Sequence, residues 1–327
     1  NKKNINNLDC YVTLEPCSHH GRTPPCVDAL IKAQIGRVFI GCKDPNPLVA
    51  GSGIKALNNA GIKVEVGVLQ QQAQDLNKGF MYAMNNKKPY VRCKIATSLD
   101  GKVGLKNGES KWITGELSRE HGQYLRARSG AVITGIGTLI ADNSNMNVRS
   151  SVWQYKDNFN NDDLDLIKQP IRVVIDPRLE IDLNCKWLET PGEKWIIINN
   201  KLDNKLDNKL DNKLDKKLSK LSELDNVCVK KLCFKDKSLD SILTELYTAE
   251  VYDVLLEAGP SLTGSFLEQG LVNELWHFQA PIIIGDQGMD FAKMSELMDL
   301  GMAARWVRTR VQECGQDLLS TYVCGKS

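Results

Sequence analysis

Short apolar runs alternate with helical patterns along the whole chain, and that alternation restricts the fold more than any single residue does. Cys10 to Leu14, Arg37 to Gly41 and Val64 to Val68 read as strands. Between them, Cys26 to Gln34, Ile54 to Asn59 and a polar stretch through Lys78 carry helical spacing. After Lys87-Lys88-Pro89 the alternation restarts with Tyr90 to Ala96 and a turn at Ser98-Leu99-Asp100-Gly101. Ala131 to Gly137 is an apolar strand running into glycines. Ile171 to Asp176, Trp195 to Asn199, Val227 to Leu232 and Val251 to Glu257 are further strands. Leu275 to Ala280 and Leu318 to Val323 complete a sheet of mixed direction, and helices fall at Ser118 to Ala127, Leu239 to Tyr247 and Ser261 to Gln269. The class is α/β. With 327 residues there is room for two domains. We place them at 1–87, an α/β unit whose first strand and helix are missing, and at 88–327.

The segment Lys201 to Leu221 repeats Lys-Leu-Asp-Asn and then decays. On a helix that four-residue period sets like charges one above another, at a cost of a few tenths of a kcal/mol per pair. It also lets the leucine stripe drift by about 40° per repeat. The expectation is a low-complexity, solvated insertion between two strands, in part helical, with a partner-binding helix as the other reading. Basic and acidic residues nearly cancel, 42 against 40, which gives no footprint for nucleic acid or a membrane surface. No apolar run approaches the roughly 20 residues that a bilayer span requires. Ten scattered cysteines suit reduced thiols and a cytoplasmic setting. A chain beginning at Asn1 is expected to be an N-terminal truncation.

Two cysteines share a motif. Cys17 and Cys26 flank a loop stiffened by Pro16, Pro24 and Pro25, as two ligands of one zinc ion would require, and ordinary thiols are the other reading. His19, His20 and Arg22 add polar groups suited to a phosphorylated, nitrogen-rich substrate. A zinc deaminase pairs such a loop with an upstream His-x-Glu, the His a ligand and the Glu a proton shuttle. None occurs here, so the zinc site is expected to be incomplete.

In the second half, Thr134-Gly135-Ile136-Gly137-Thr138 and Ala258-Gly259-Pro260-Ser261-Leu262-Thr263-Gly264 are glycine turns between a strand and a helix. Such turns aim backbone N–H groups at phosphates. Structural turn glycines explain either one alone; both together, with Asp142 nearby, favour a dinucleotide. Arg126 and Arg149 suit a phosphate, or a surface ion pair. Glu257 ends an apolar strand, where a carboxylate needs a partner or a ligand. Lys94 and Glu257 are the candidate catalytic pair, able to shuttle protons, with a plain buried ion pair as the rival.

Glu15-Pro16-Cys17-Ser18-His19-His20-Gly21-Arg22-Thr23-Pro24-Pro25-Cys26, with Asp44-Pro45-Asn46-Pro47 and Gly51-Ser52-Gly53, closely resembles the deaminase half of the bifunctional riboflavin-biosynthesis deaminase/reductase. Lys94 to Gly101 and Gly108-Glu109-Ser110-Lys111-Trp112-Ile113-Thr114 are similar to the signature of its reductase half. The resemblance implies a cytidine-deaminase-like domain, truncated here, followed by a dihydrofolate-reductase-like domain. It implies an NADPH-dependent reduction of 5-amino-6-(5-phosphoribosylamino)uracil to its ribityl compound. It also implies a zinc-dependent deamination, expected to be lost without His-x-Glu. Small pyrimidine ribosylamino phosphates would be the partners, and a homo-oligomer the assembly. By matching motifs, the cofactor would touch Ala96, Trp112, Thr138, Asp142 and the turn Gly259, Pro260, Ser261, Leu262, Thr263, Gly264 and Ser265. The substrate would touch Ser110, Arg126, Met146, Arg149 and Glu257. Asn143 to Val148 departs from the family's usual Asp-Asp-Pro-x-Leu-Thr, which leaves a non-catalytic scaffolding relative as the alternative.

Overall fold

The computed structural model describes residues 5–21, 23–149, 168–200, 208–234 and 239–325, with backbone alone over 208–213. It forms two compact units, Asn1–Pro89 and Tyr90–Ser327.

The first unit runs β1 (Asp9–Leu14), α1 (Cys26–Lys32), β2 (Arg37–Cys42), α2 (Ser52–Asn59), β3 (Lys63–Val66), α3 (Gln70–Leu76) and α4 (Lys78–Asn86). Its three strands are parallel in the order β1-β2-β3. Val27, Val38, Ile40 and Leu57 close its core. On the alternate positions, Tyr11 and Phe39 stack at 4.6 Å between ring centroids. The polar stretch through Lys78 is two helices, because the Asn77 side chain donates to the Ala73 carbonyl at 2.9 Å and ends the first of them.

The second unit runs β4 (Tyr90–Thr97), β5 (Lys102–Gly104), α5 (Glu116–Ala127), β6 (Ala131–Gly135), α6 (Ile136–Asp142), β7 (Ile171–Ile175), α7 (Lys186–Glu189) and β8 (Lys194–Asn199). It continues through α8 (Asn208–Ser222), β9 (Val227–Leu232), α9 (Asp240–Thr248), β10 (Asp253–Leu256), α10 (Pro260–Glu268), β11 (Glu274–Gln279), β12 (Met289–Asp290), β13 (Trp306–Cys314) and β14 (Asp317–Cys324). Nine strands form one sheet, ordered β13-β14-β11-β4-β10-β6-β7-β8-β9. From β11 to β9 all neighbours are parallel, and the β13–β14 hairpin adds antiparallel strands at one edge.

Alternation along β4 sorts its side chains between the two faces of the sheet. Val91, Cys93 and Ile95 enter a core with Ile133, Leu256 and Phe266. Ala96 lies on the opposite face, against Leu125, Val132, Leu255 and Phe278. Lys94, two residues before Ala96, shares that face.

One sequence expectation is corrected, and one strand carries no sequence signal. The repeat is not simply a solvated insertion. Its part over 201–207 lies outside the described residues, but Asn208–Ser222 is helical and Leu214, Leu218 and Leu221 pack on a core with Trp187 and Ile196. A 40° drift per four residues is cancelled when the next leucine comes three residues later, so these three share a face. Strand β13 had no sequence signal, because it is an edge strand exposed along most of its length and shows no apolar alternation.

Candidate active site

The carboxyl ends of the central parallel strands open into a cleft of about 1030 Å³, lined by Lys94 and Ala96 of β4, Gly135 at the end of β6 and Glu257 just past β10. Strand ends of this kind are where open α/β sheets hold ligands. Glu257 keeps its backbone in register, donating to the Ile133 carbonyl at 3.0 Å.

Helix α5 brings Arg126 to that carboxylate. Arg126 Nε donates at 3.1 and 3.2 Å and Nη2 at 2.6 Å, a bidentate ion pair between side chains only 14% and 12% exposed. The third guanidinium nitrogen, Nη1, reaches the Asn147 carbonyl at 3.2 Å. The hairpin anchors the helix: the Asp317 carboxylate accepts the Gly115 N–H at 2.7 Å and the Ser118 hydroxyl at 2.5 Å. It serves as an N-cap supplied from elsewhere in the chain.

The expected pairing of Lys94 with Glu257 takes a different form. Glu257 is bonded to Arg126, and the Lys94 ammonium has no ion pair or hydrogen bond among the described residues. Its neighbour is the Phe278 ring, 5.8 Å from Nζ. Burial holds the Lys94 pKa below its ordinary value, with the Glu257 charge opposing that shift and Arg126 adding to it. Burial pushes Glu257 the other way, but Arg126, Lys94 and Arg149 together outweigh it and hold the carboxyl below its ordinary range.

The two glycine turns meet. The Gly259 N–H donates to Thr138 Oγ1 at 3.0 Å, so α6 and α10 present their N-termini side by side to the cleft. A Cβ built on Gly137 would meet nothing within 4 Å, so that glycine faces open space. Thr138, Asp142, Pro260, Ser261, Leu262, Thr263 and Ser265 line the same wall. Gly264 does not. A Cβ there would lie 1.8 Å from the Lys293 carbonyl oxygen, so its missing side chain serves packing. Ser110 Oγ reaches Asp142 Oδ1 at 3.5 Å, and Trp112, 66% exposed, stands beneath the Arg119 guanidinium at 4.7 Å.

The loop after α6 forms another wall. Met146, with φ of 52°, is buried, and Ser144 Oγ lies 3.2 Å from its sulfur. Gln169 brackets Val148, accepting from its N–H at 2.9 Å and donating to its carbonyl at 3.0 Å; Gln123 accepts the Arg149 N–H at 2.9 Å. This backbone is firmly built despite its departure in sequence. Burial lowers the Arg149 pKa, Arg126 adding to the effect, and Arg149 forms no ion pair among the described residues.

Sequence reading passed over Arg119, which lines the cleft. Its signal was present: it lies two helical turns before Arg126 on α5, hence on the same face. Met289 and Phe291 also line the cleft and sit in a segment without periodic pattern.

In the first unit the Cys26 N–H donates to Cys17 Sγ at 3.3 Å. The Cys26 thiol is pushed up, first by its hydrogen bond with the Cys17 side chain and then by burial. Glu15 is buried beside the loop, accepting the N–H groups of Asp44, Gly51 and Ile54 at 3.0 to 3.2 Å, so it is committed to holding the backbone. Among the described residues no three His, Cys, Asp or Glu side chains group closely enough to hold a metal ion. Arg22 lies outside the described residues. The two thiols, Cys17 and Cys26, do not by themselves make a zinc site among the described residues.

Fold and cleft define a class: an α/β reductase domain of the dihydrofolate-reductase-like type. Residues 89–320 match the model of the RibD C-terminal domain. Riboflavin biosynthesis protein RibD of Haemophilus influenzae is 34% identical over 98% of this chain and 81% of its own length. The RibD structure of Acinetobacter baumannii is 37% identical with a TM-score of 0.84, covering 98% of this chain and 82% of that one. A diaminohydroxyphosphoribosylaminopyrimidine deaminase/5-amino-6-(5-phosphoribosylamino)uracil reductase from Thermotoga maritima is 28% identical with a TM-score of 0.77, over 99% and 81% of the two chains. The chain belongs to the RibD family of riboflavin biosynthesis.

Proposed function

We propose that the unit Tyr90–Ser327 reduces 5-amino-6-(5-phosphoribosylamino)uracil with NADPH, Lys94 and Glu257 being its proton-transfer residues. The observation that carries this reading is the Lys94 ammonium, unpaired among the described residues and held at a cleft beside a carboxylate already satisfied by arginine. A structural lysine in such a place would be paired.

The residues present fit the cofactor. Paired helix N-termini suit its phosphates, Gly137 leaves open space, and the cleft reaches the upper end of the usual range for ligand sites. When bound, NADPH supplies the hydride. The chain supplies the rest. Opening of the ribose ring breaks the bond from C1′ to the ring oxygen, and Lys94, which lines the cleft, would protonate that oxygen. Its lowered pKa makes it the better acid. The exocyclic nitrogen loses a proton to Glu257, which is ionised at neutral pH. A carbon–nitrogen double bond would then remain at C1′, the carbon that would take the cofactor's hydride, and Glu257 would return its proton to the nitrogen. Arg149, without an ion pair among the described residues, would take the phosphate, whereas Arg126 orients Glu257.

In the same reading the first unit belongs to the zinc deaminase half. Its support is the meeting of Cys17 with Cys26. No step through zinc follows from two thiols. A scaffolding relative is the weaker alternative, since nothing in that role calls for a lysine in the cleft that is unpaired among the described residues.

The test is NADPH oxidation by the whole chain given 5-amino-6-(5-phosphoribosylamino)uracil, with Lys94→Ala beside it. Turnover in the unaltered chain, lost by a factor of roughly 10² or more in the variant while NADP+ still binds, is the expected result. A folded, cofactor-binding chain without turnover would favour scaffolding, and loss of cofactor affinity would move Lys94 from proton transfer to binding.

A further inference from the structure

Met289 and Phe291 sit on a strap that ties two walls of the cleft together. At one end β12 pairs with β5, Met289 opposite Gly104 and Asp290 opposite Lys102, with Lys102 Nζ 2.6 Å from Asp290 Oδ1. At the other end the Lys293 N–H donates to the Pro260 carbonyl at 2.9 Å, on the first turn of α10. The Lys293 carbonyl fills the space left by Gly264. The chain between these pins has little freedom to retract.

Two apolar side chains lie within that span. The Met289 methyl would stand 2.9 Å from a Cβ on Gly104, whose next neighbours include Ser110. Phe291 lines the cleft yet keeps 38% of its surface exposed. Apolar surface left wet costs about 25 cal/mol per Å². A ring pinned in that position gains from a ligand group that is itself flat and weakly hydrated. The strap runs from beside Ser110, read as a substrate contact, to the N-terminus of α10, read as a phosphate contact. A dinucleotide reaching from that helix toward the substrate carries one such group between them, its nicotinamide ring.

We propose that Met289 and Phe291 form the apolar wall against which the nicotinamide packs, an assignment that rests on the NADPH reading above. An aromatic face attracts the cationic oxidised ring and also packs against the neutral reduced one. Both side chains would also keep water from the point of hydride transfer.

Calorimetric titration of the whole chain with NADP+ and with 2′-phospho-ADP-ribose, the same molecule without nicotinamide, tests this. Phe291→Ala is expected to weaken NADP+ about tenfold, or about 1.4 kcal/mol, and to leave 2′-phospho-ADP-ribose unchanged. Phe291→Leu, which keeps apolar surface but not the aromatic face, should recover part of that loss, and Phe291→Tyr, which keeps the face, most of it. Equal weakening of both ligands, or of neither, overturns the assignment. An unaltered chain that binds neither ligand overturns the NADPH reading itself, which is a separate failure.

Discussion

Arg126 was legible in the sequence as a guanidinium suited to an anion, but not as the partner of Glu257. The two are 131 positions apart, and only the meeting of α5 with the end of β10 brings them together. Glu257 needed a partner, by the cost of an unpaired carboxylate at the end of an apolar strand; which partner was a matter of topology. The pairing sets a sign. Glu257 has a folded pKa below its ordinary value, so the unfolded chain binds more protons between the two values and stability rises with pH there. This contribution is fully present above the ordinary carboxylate range and is lost as pH falls through the lowered value. Arg126→Ala should therefore cost about 3–5 kcal/mol at neutral pH, because it strands a buried charge. The deficit should shrink in acid, where Glu257 protonates. Urea unfolding at neutral and acid pH measures it, and a deficit independent of pH would mean that packing rather than charge was lost.

Elements with a buried stripe could be read from the chain, and elements fixed by distant partners could not. The strand at Tyr90–Thr97 announces itself by its apolar run, whereas the helix at Glu116–Ala127 buries Ser118, Glu120 and Gln123 beside Leu125 and carries no apolar stripe. Asp317 gave no sign that it caps that helix from about 200 positions away. Strand β13 lies on an edge, where half of the pattern faces water. The capping contact bears on the cleft because α5 carries both Arg119 and Arg126 into its lining. Asp317→Ala removes the acceptor for the Gly115 N–H and the Ser118 hydroxyl, and should cost about 1–2 kcal/mol. It should also raise KM for the phosphorylated substrate, since the helix start would loosen near Arg119. Denaturant midpoints and steady-state kinetics on the same variant check both; an unchanged midpoint would show that water replaces the carboxylate without loss.

At the scale of the whole molecule, each unit closes its own core. Val27, Val38, Ile40 and Leu57 belong to the first, and the clusters around Ile133, Ile196 and Leu255 to the second. The cleft draws all its lining from residues after Tyr90. The near balance of charge over the chain hides a local excess there, since Lys94, Arg119 and Arg149 have no carboxylate within ion-pair distance among the described residues. A ligand that carries phosphates relieves that excess, and it can stabilise only the state that presents the cleft. NADP+ at about 100 times its Kd should therefore add about 2.7 kcal/mol to the unfolding of Tyr90–Ser327. Unfolding of Asn1–Pro89 should not respond, having no part in the cleft. Scanning calorimetry of the whole chain, with and without NADP+, should resolve one transition that moves with ligand concentration and one that stays. Two transitions moving together, or a single one carrying all the heat, would mean that the units unfold as one cooperative body despite their separate cores.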